Sequence, residues 1–198
     1  MPSIQPDFVY SSRLTIAALL ILGLSLVACQ KEPEQDAAPP KGERVENSAL
    51  GMAIAELPAF FKLSSNEGPV IELVPADPQV EGVLKVQEGP AQTSGVNLVA
   101  AVERHKADLQ GRSDGVFKGQ QELGSQLGTA FYSRGLYSEG GRTMEETLVF
   151  IVHPKGDREL QMMYSYPSGE DSKERLMDQL FVVLGELEPI EAAAETEG

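Results

Sequence analysis

Five consecutive residues, Leu148-Val149-Phe150-Ile151-Val152, are apolar at every position, and no other feature restricts the possible folds of this chain as strongly. The run is aliphatic and aromatic, with three β-branched residues, as strands prefer. Side chains of a strand alternate between the two faces of its sheet, so a strand apolar throughout has to be covered on both faces. A single layer of helix cannot do that, and the chain must supply a second.

The flanking text shows where the layers come from. Residues 115–123, 127–137, 145–153 and 158–166 read as four strands, separated by Gly124-Ser125, by Glu139-Gly140-Gly141-Arg142 and by Pro154-Lys155-Gly156-Asp157. Short turns of this composition make sequential strands antiparallel neighbours, so the four form a meander. Upstream, 59–63, 70–74 and 82–86 read as three shorter strands, the second stopped by Pro75 and Pro78. Between the two groups, Leu98, Val99, Val102, His105 and Leu109 recur on one face of a helix, with Ser94 as the expected N-cap and Gly111 after its end. A second helix is predicted near the C-terminus, where Leu176, Met177, Leu180, Phe181, Leu184 and Leu187 form an apolar stripe. Ser168 with Asp171 resembles a capping box there, and Glu170 complements the helix dipole. The expected class is α+β: an antiparallel meander between helical layers, one face under the C-terminal helix, the other under the helix around Val102 and the N-terminal segment.

The N-terminus carries a different signal. Residues 14–28 are almost wholly apolar, too short a run for the roughly 20 residues that span a bilayer. The run suits the hydrophobic part of a signal peptide, preceded by Arg13 as its one basic residue. Leu26-Val27-Ala28-Cys29 resembles the bacterial lipobox, with cleavage between Ala28 and Cys29 and a lipid-modified cysteine at the new N-terminus. Cys29 is the only cysteine. Acyl chains on it would hold the protein to a lipid bilayer, since each buried methylene contributes about 0.8 kcal/mol and two or more chains anchor stably. Gln30, in place of the aspartate that favours inner-membrane retention in enterobacterial lipoproteins, leans toward the outer membrane. The expected organisation is a signal peptide over 1–28, a lipidated tether rich in charge, proline and alanine over 29–48, one domain over 49–190 and an acidic tail over 191–198.

The formal charge is -14. Such a chain is repelled by nucleic-acid phosphates and by anionic head groups, which argues against nucleic acid as a partner and leaves acyl chains as the membrane attachment. With one cysteine, no intrachain disulfide forms, and the domain depends on its apolar core.

The order of short N-terminal strands, a helix, a meander and a long C-terminal helix is similar to the PsbP-like α/β/α sandwich, which includes DcrB-like bacterial lipoproteins. F-F-K-L-S-S-N-E-G, the pairing of E-E-T-L-V-F-I-V-H-P with R-E-L-Q-M-M-Y-S-Y-P, and the closing helix carry this resemblance over most of 50–187. The family includes a photosystem subunit, a small-GTPase binder and secretion-linked chaperones. The resemblance therefore implies a fold, with no catalytic residues and no cofactor.

Residue by residue, signatures of chemistry are sparse. There is no Gly-x-Ser-x-Gly elbow, no phosphate-binding glycine loop, and no paired histidine spacing of the kind zinc uses. His105 and His153 read as core-edge residues rather than ligands. Met162, Met163 and Met177 read as core filler rather than copper ligands. The pair Glu145-Glu146 reads as solvated at a strand start. Tyr132, Tyr137, Tyr164 and Tyr166 fall on successive strands and are the candidate for an amphipathic patch that meets a partner, or else tyrosines at the edge of the core. The function expected is a non-enzymatic, lipid-anchored periplasmic protein that binds or scaffolds another cell-envelope protein; the alternative is a small-molecule or metal-binding module at the membrane.

Overall fold

The computed structural model describes residues 42–93, 95–169 and 173–190. The signal peptide, Cys29, tether residues up to 41, the acidic tail, Ser94, Glu170 and Asp171 lie outside the described residues. Among those described, no helix is long and apolar enough to cross a membrane.

The elements follow as β1 (Val45–Asn47), β2 (Met52–Ile54), β3 (Phe61–Ser65), β4 (Val70–Pro75), β5 (Val83–Glu88), α1 (Leu98–Gly111), β6 (Val116–Ser125), β7 (Gly128–Glu139), β8 (Arg142–Val152), β9 (Glu159–Pro167), α2 (Lys173–Glu186) and β10 (Leu187–Pro189). Seven strands form one antiparallel sheet in the order β3-β4-β5-β9-β8-β7-β6. Two meanders are thus joined where β5 pairs with β9, Leu84 lying opposite Tyr164 and Val86 opposite Met162. The α+β class and the four-strand meander expected from the sequence are present.

The run that is apolar at every position, 148–152, is the second half of β8, which sits inside this sheet between β7 and β9, and residues 145–151 are all buried. Its Leu148 and Phe150 join Leu98, Ala101 and Val102 of α1 on one face. Its Val149 and Ile151 join Leu180, Val183 and Leu184 of α2 on the other. The two helices therefore cover opposite sides of one strand, as its composition requires.

Three findings correct the expectations. The folded part starts before residue 49: β1 pairs with β2, and β2 with β10, in a separate three-stranded sheet. Within the stretch read as tether, Asn47 is buried, accepts the Leu50 amide at 2.8 Å and donates to Asn66 Oδ1 and to the carbonyls of Gly68 and Val70. One polar side chain thereby ties the β1–β2 turn of the small sheet to the β3–β4 turn of the large one, which a composition-based reading of charge and proline cannot detect. The N-terminal segment also lies on the α2 side, where Val45, Leu50, Met52 and Ile54 share the core with α2, and not over α1. Finally, α1 is capped by Asn97, whose Oδ1 accepts the Ala100 amide at 3.0 Å.

Close packing of α1 on β7 relies on the missing side chain of Gly135. A Cβ there would lie 2.3 Å from Leu109 Cδ1 and 2.9 Å from the Val116 carbonyl oxygen. Gly135→Ala is therefore expected to destabilise the domain by about 1–3 kcal/mol through overpacking, read as a lower midpoint of urea unfolding with an unchanged slope.

Candidate functional site

Glu145 and Glu146, adjacent on β8, point to opposite faces of the sheet and are both buried, 0% and 3% exposed. This overturns their reading as solvated residues. They sit three residues inside β8, which begins at Arg142, so each must be matched within its own layer. On the α2 face, Glu145 is bonded to Arg134 Nε. Tyr166 lies opposite Glu145 on β9, and burial together with the nearby Glu145 carboxylate pushes that phenol far above its usual range.

On the α1 face, Glu146 sits at the centre of a larger network. Its Oε1 lies 3.1 Å from His105 Nε2, and its Oε2 accepts from Arg112 Nη1 and from Ser165 Oγ, each at 3.1 Å. His105 Nδ1 contacts Ser133 Oγ at 2.7 Å. Burial alone would raise the Glu146 pKa; the hydrogen bond from His105 and the charge of Arg112 outweigh it and hold the carboxyl below its usual range. Arg112 is clamped from a third side by Asp108 at 2.5 Å and lies 4.5 Å over the Tyr137 ring.

A second buried carboxylate repeats the device. Glu159, 1% exposed, accepts from Gln92 Nε2 at 2.5 Å, Arg104 Nη2 at 2.6 Å and Gln161 Nε2 at 2.7 Å. Register explains the spacing of the two stations. Glu146 lies opposite Ser165 and Val152 opposite Glu159, so Leu148, Phe150, Gln161 and Met163 occupy the sheet between them. Above these residues runs a groove of about 270 Å³, bounded on the helix side by Arg104, Asp108 and Arg112. The groove exists because α1 packs on β6, β7 and β8 and stops short of covering β9.

The Ser133-His105-Glu146 chain has the residue types of a nucleophile, a base and an orienting acid. Its geometry is that of a support. Ser133 is 0% exposed and is absent from the groove lining, so no substrate carbonyl can approach its oxygen. The hydroxyl and the imidazole instead fix Glu146, which in turn fixes Arg112.

The remaining residues singled out in the sequence are dispersed. Tyr164 and Tyr166 are 0% exposed on the α2 face, and Tyr132 packs edge-on against Phe181 there. Tyr137 is on the α1 face beneath Arg112. The four therefore do not form one exposed patch, because strand alternation divides them between the faces and the core takes two of them. His153 is buried at the β8–β9 turn, its Nδ1 accepting the Lys155 amide at 3.1 Å; burial and then the charge of Arg158 lower its pKa. Met162 and Met163 belong to different cores, and Met177 Sδ accepts from Thr147 Oγ1 at 3.3 Å. Among the described residues, no three His, Cys, Asp or Glu side chains gather as a metal site.

No protein-family model matches the sequence, and no curated protein does. Solved structures do resemble the fold. A point mutant of the protein Mog1 superimposes with a TM-score of 0.52 at 12% identity, covering 77% of this chain and 97% of that one. The Ran-binding protein Mog1p of Saccharomyces cerevisiae gives 0.51 at 12% identity, over 76% and 96%. LpqN of Mycobacterium tuberculosis, described as involved in cell envelope biogenesis, gives 0.45 at 17% identity, over 77% and 86%. At such identities the likeness is one of fold.

The depressed pKa of Glu146 sets a pH dependence. A carboxyl whose folded pKa lies below its unfolded value of about 4.3 adds stability that is complete above that value and is lost as pH falls through the folded one. Glu146→Gln is expected to cost about 1–3 kcal/mol at neutral pH and to flatten the loss of stability below about pH 4.3, measured by denaturant unfolding across pH. Parallel pH profiles for the two proteins would show that Glu146 is not the group responsible.

Proposed function

We propose that this chain is a lipid-anchored binding protein of the bacterial cell envelope, PsbP-like and DcrB-like in kind, whose domain engages another envelope protein without catalysing a reaction. The observation that carries the binding role is the pair of arginines at the α1 groove. Arg104 and Arg112 are 40% and 32% exposed, yet each is held from beneath by a carboxylate that is itself sealed from solvent. A surface arginine normally loses side-chain freedom when it binds; one already held loses less, so more of its contact energy appears as affinity. The Saccharomyces cerevisiae neighbour is described as Ran-binding, which is in line with a protein partner for this fold.

The anchor in this reading is Cys29, lipid-modified after cleavage following Ala28, with the outer membrane favoured by Gln30. A lipid attached to the first residue of the processed chain would hold the domain at the periplasmic face of a membrane. Acyl chains would then do what the acidic surface does not, keeping the domain at a bilayer whose head groups repel it.

A second reading, a module for a small apolar ligand, is favoured by a different groove of about 480 Å³ between the β6–β7 turn and α2. It is lined by Leu123, Gly124, Ser125, Gln126, Phe181, Leu184 and Gly185, with no charged side chain. A ligand bound there would raise the melting temperature by mass action in a thermal-shift screen.

The anchoring is tested by growing cells with an alkyne-bearing fatty acid. The wild-type chain is expected to carry the label and to sediment with membranes, and Cys29→Ser to lose both. Label retained by Cys29→Ser would overturn the proposal.

A further inference from the structure

We infer that the outer edge of β6 takes up an extended segment of the partner protein as an added strand, a segment in which a basic residue stands between two apolar ones. This rests on the protein-binding role proposed above and places a contact on a surface separate from the α1 arginines.

The backbone of β6 is open on one side. The strand ends the seven-stranded order and has β7 as its one strand neighbour among the described residues. Ser125 lies opposite Gly128 across the two-residue turn Gln126-Leu127, which makes these two a hydrogen-bonded pair. Alternation then turns Ser125, Leu123 and Gln121 toward β7 and leaves the N–H and C=O of Gly124, Glu122 and Gln120 pointing outward. All three of those residues are exposed. The bulge between Phe117 and Gly119 breaks the ladder upstream, so the open stretch is 120–125. A row of donors and acceptors alternating at this spacing is matched in register by another strand.

Beside this edge lies the groove of about 480 Å³. Among the described residues its lining comes from β6, the β6–β7 turn and α2, with none from β7, which puts it outside the paired part of the sheet. A Cβ on Gly124 or on Gly185 would meet nothing within 4 Å, so both glycines keep the groove open. Leu123 lies opposite Ala130, and Gln121 opposite Tyr132, whose ring meets Phe181 of α2. These positions therefore face α2. Guest side chains opposite Leu123 and Gln121, two residues apart, are directed over the groove toward Phe181 and Leu184. No charged side chain lines it, so both of those guest residues are apolar.

Charge selects the residue between them. Glu122 lies opposite Phe131, which packs with the α1-side core, so its carboxylate projects from the other face. It is exposed and has no ion pair among the described residues. A lysine or arginine of the guest opposite Glu122 forms the favourable cross-strand pair. The formal charge of -14 attracts the same kind of segment.

The test screens a random twelve-residue peptide library against the full chain in detergent, then follows the enriched peptides by affinity and by amide hydrogen exchange. Apolar-basic-apolar sequences are expected to dominate, to slow exchange at Gln120, Glu122 and Gly124, and to bind about ten-fold more weakly to Glu122→Lys. Gly124→Pro, which removes one outward N–H at an edge position where proline is tolerated, is expected to abolish binding. Should that variant fail to fold, Gly185→Leu, which fills the groove from α2, is expected to give the same loss. Binding lost with Gly185→Leu but retained by Gly124→Pro, with no slowed exchange along β6, would overturn the added strand in favour of a small apolar ligand. A dimer formed without peptide and broken by Gly124→Pro would overturn the partner segment in favour of a second copy of this chain. Enrichment indifferent to the edge and groove variants but lost with Arg104→Gln or Arg112→Gln would overturn the β6 site and leave the binding role standing. No enrichment would overturn both.

Discussion

The structure depends on two neighbouring glutamates having to be neutralised on opposite faces of the same strand. Glu145 and Glu146 lie near the entry to β8, whose second half is apolar and covered on both sides. Burying one unpaired carboxylate would destabilise a domain of this size by more than its core could offset. Each face therefore needs its own cation at a fixed place: Arg134 from β7 on the α2 side and Arg112 from the end of α1 on the other. These pairs tie β8 to β7 and α1 to β8, and they select one register where apolar packing alone would tolerate several. On the α1 side Arg112 reaches Glu146 from the rim of a groove and remains partly exposed, as Arg134 does on the other face. The requirement that stabilises the fold thereby leaves a rigid cation at the surface.

Much of the fold was legible because its signals are local. Strand alternation, glycine-rich turns and the apolar stripe of α2 are properties of short windows, and the meander and both helices follow from them. The joining of the two meanders at β5 and β9 was not legible, since it pairs residues some eighty positions apart and no short-range pattern records it. The small sheet was missed for a related reason: β1, β2 and β10 are three residues each, and Asn47 reads as linker composition until Asn66, Gly68 and Val70 are brought to it. The N-cap was displaced from Ser94 to Asn97 because both are good caps and only the path of the chain after Gln92 distinguishes them.

The site was less legible than the fold. The Glu145-Glu146 pair stood in view, but a charge pair beside a strand is ordinarily solvated. The signal that could have exposed it is its continuity with the apolar run: Thr147 leaves no turn between the glutamates and Leu148, so both belong inside the sheet. Arg112 gave no signal, because α1 ends one residue before it. The four tyrosines show the converse error, for sequence proximity on successive strands says nothing about which face each ring takes once two of them are needed in the core.

The central claim is that buried carboxylates hold the groove arginines in place before any partner arrives. Nitrogen-15 NMR of arginine side chains in the full chain tests it directly. Resolved Nη–H signals protected from solvent exchange are expected for Arg104 and Arg112, with the Arg112 Nη1 signal moving toward the random-coil position in Glu146→Gln and those of Arg104 unchanged. Averaged, rapidly exchanging signals for both arginines in the wild-type protein would contradict it.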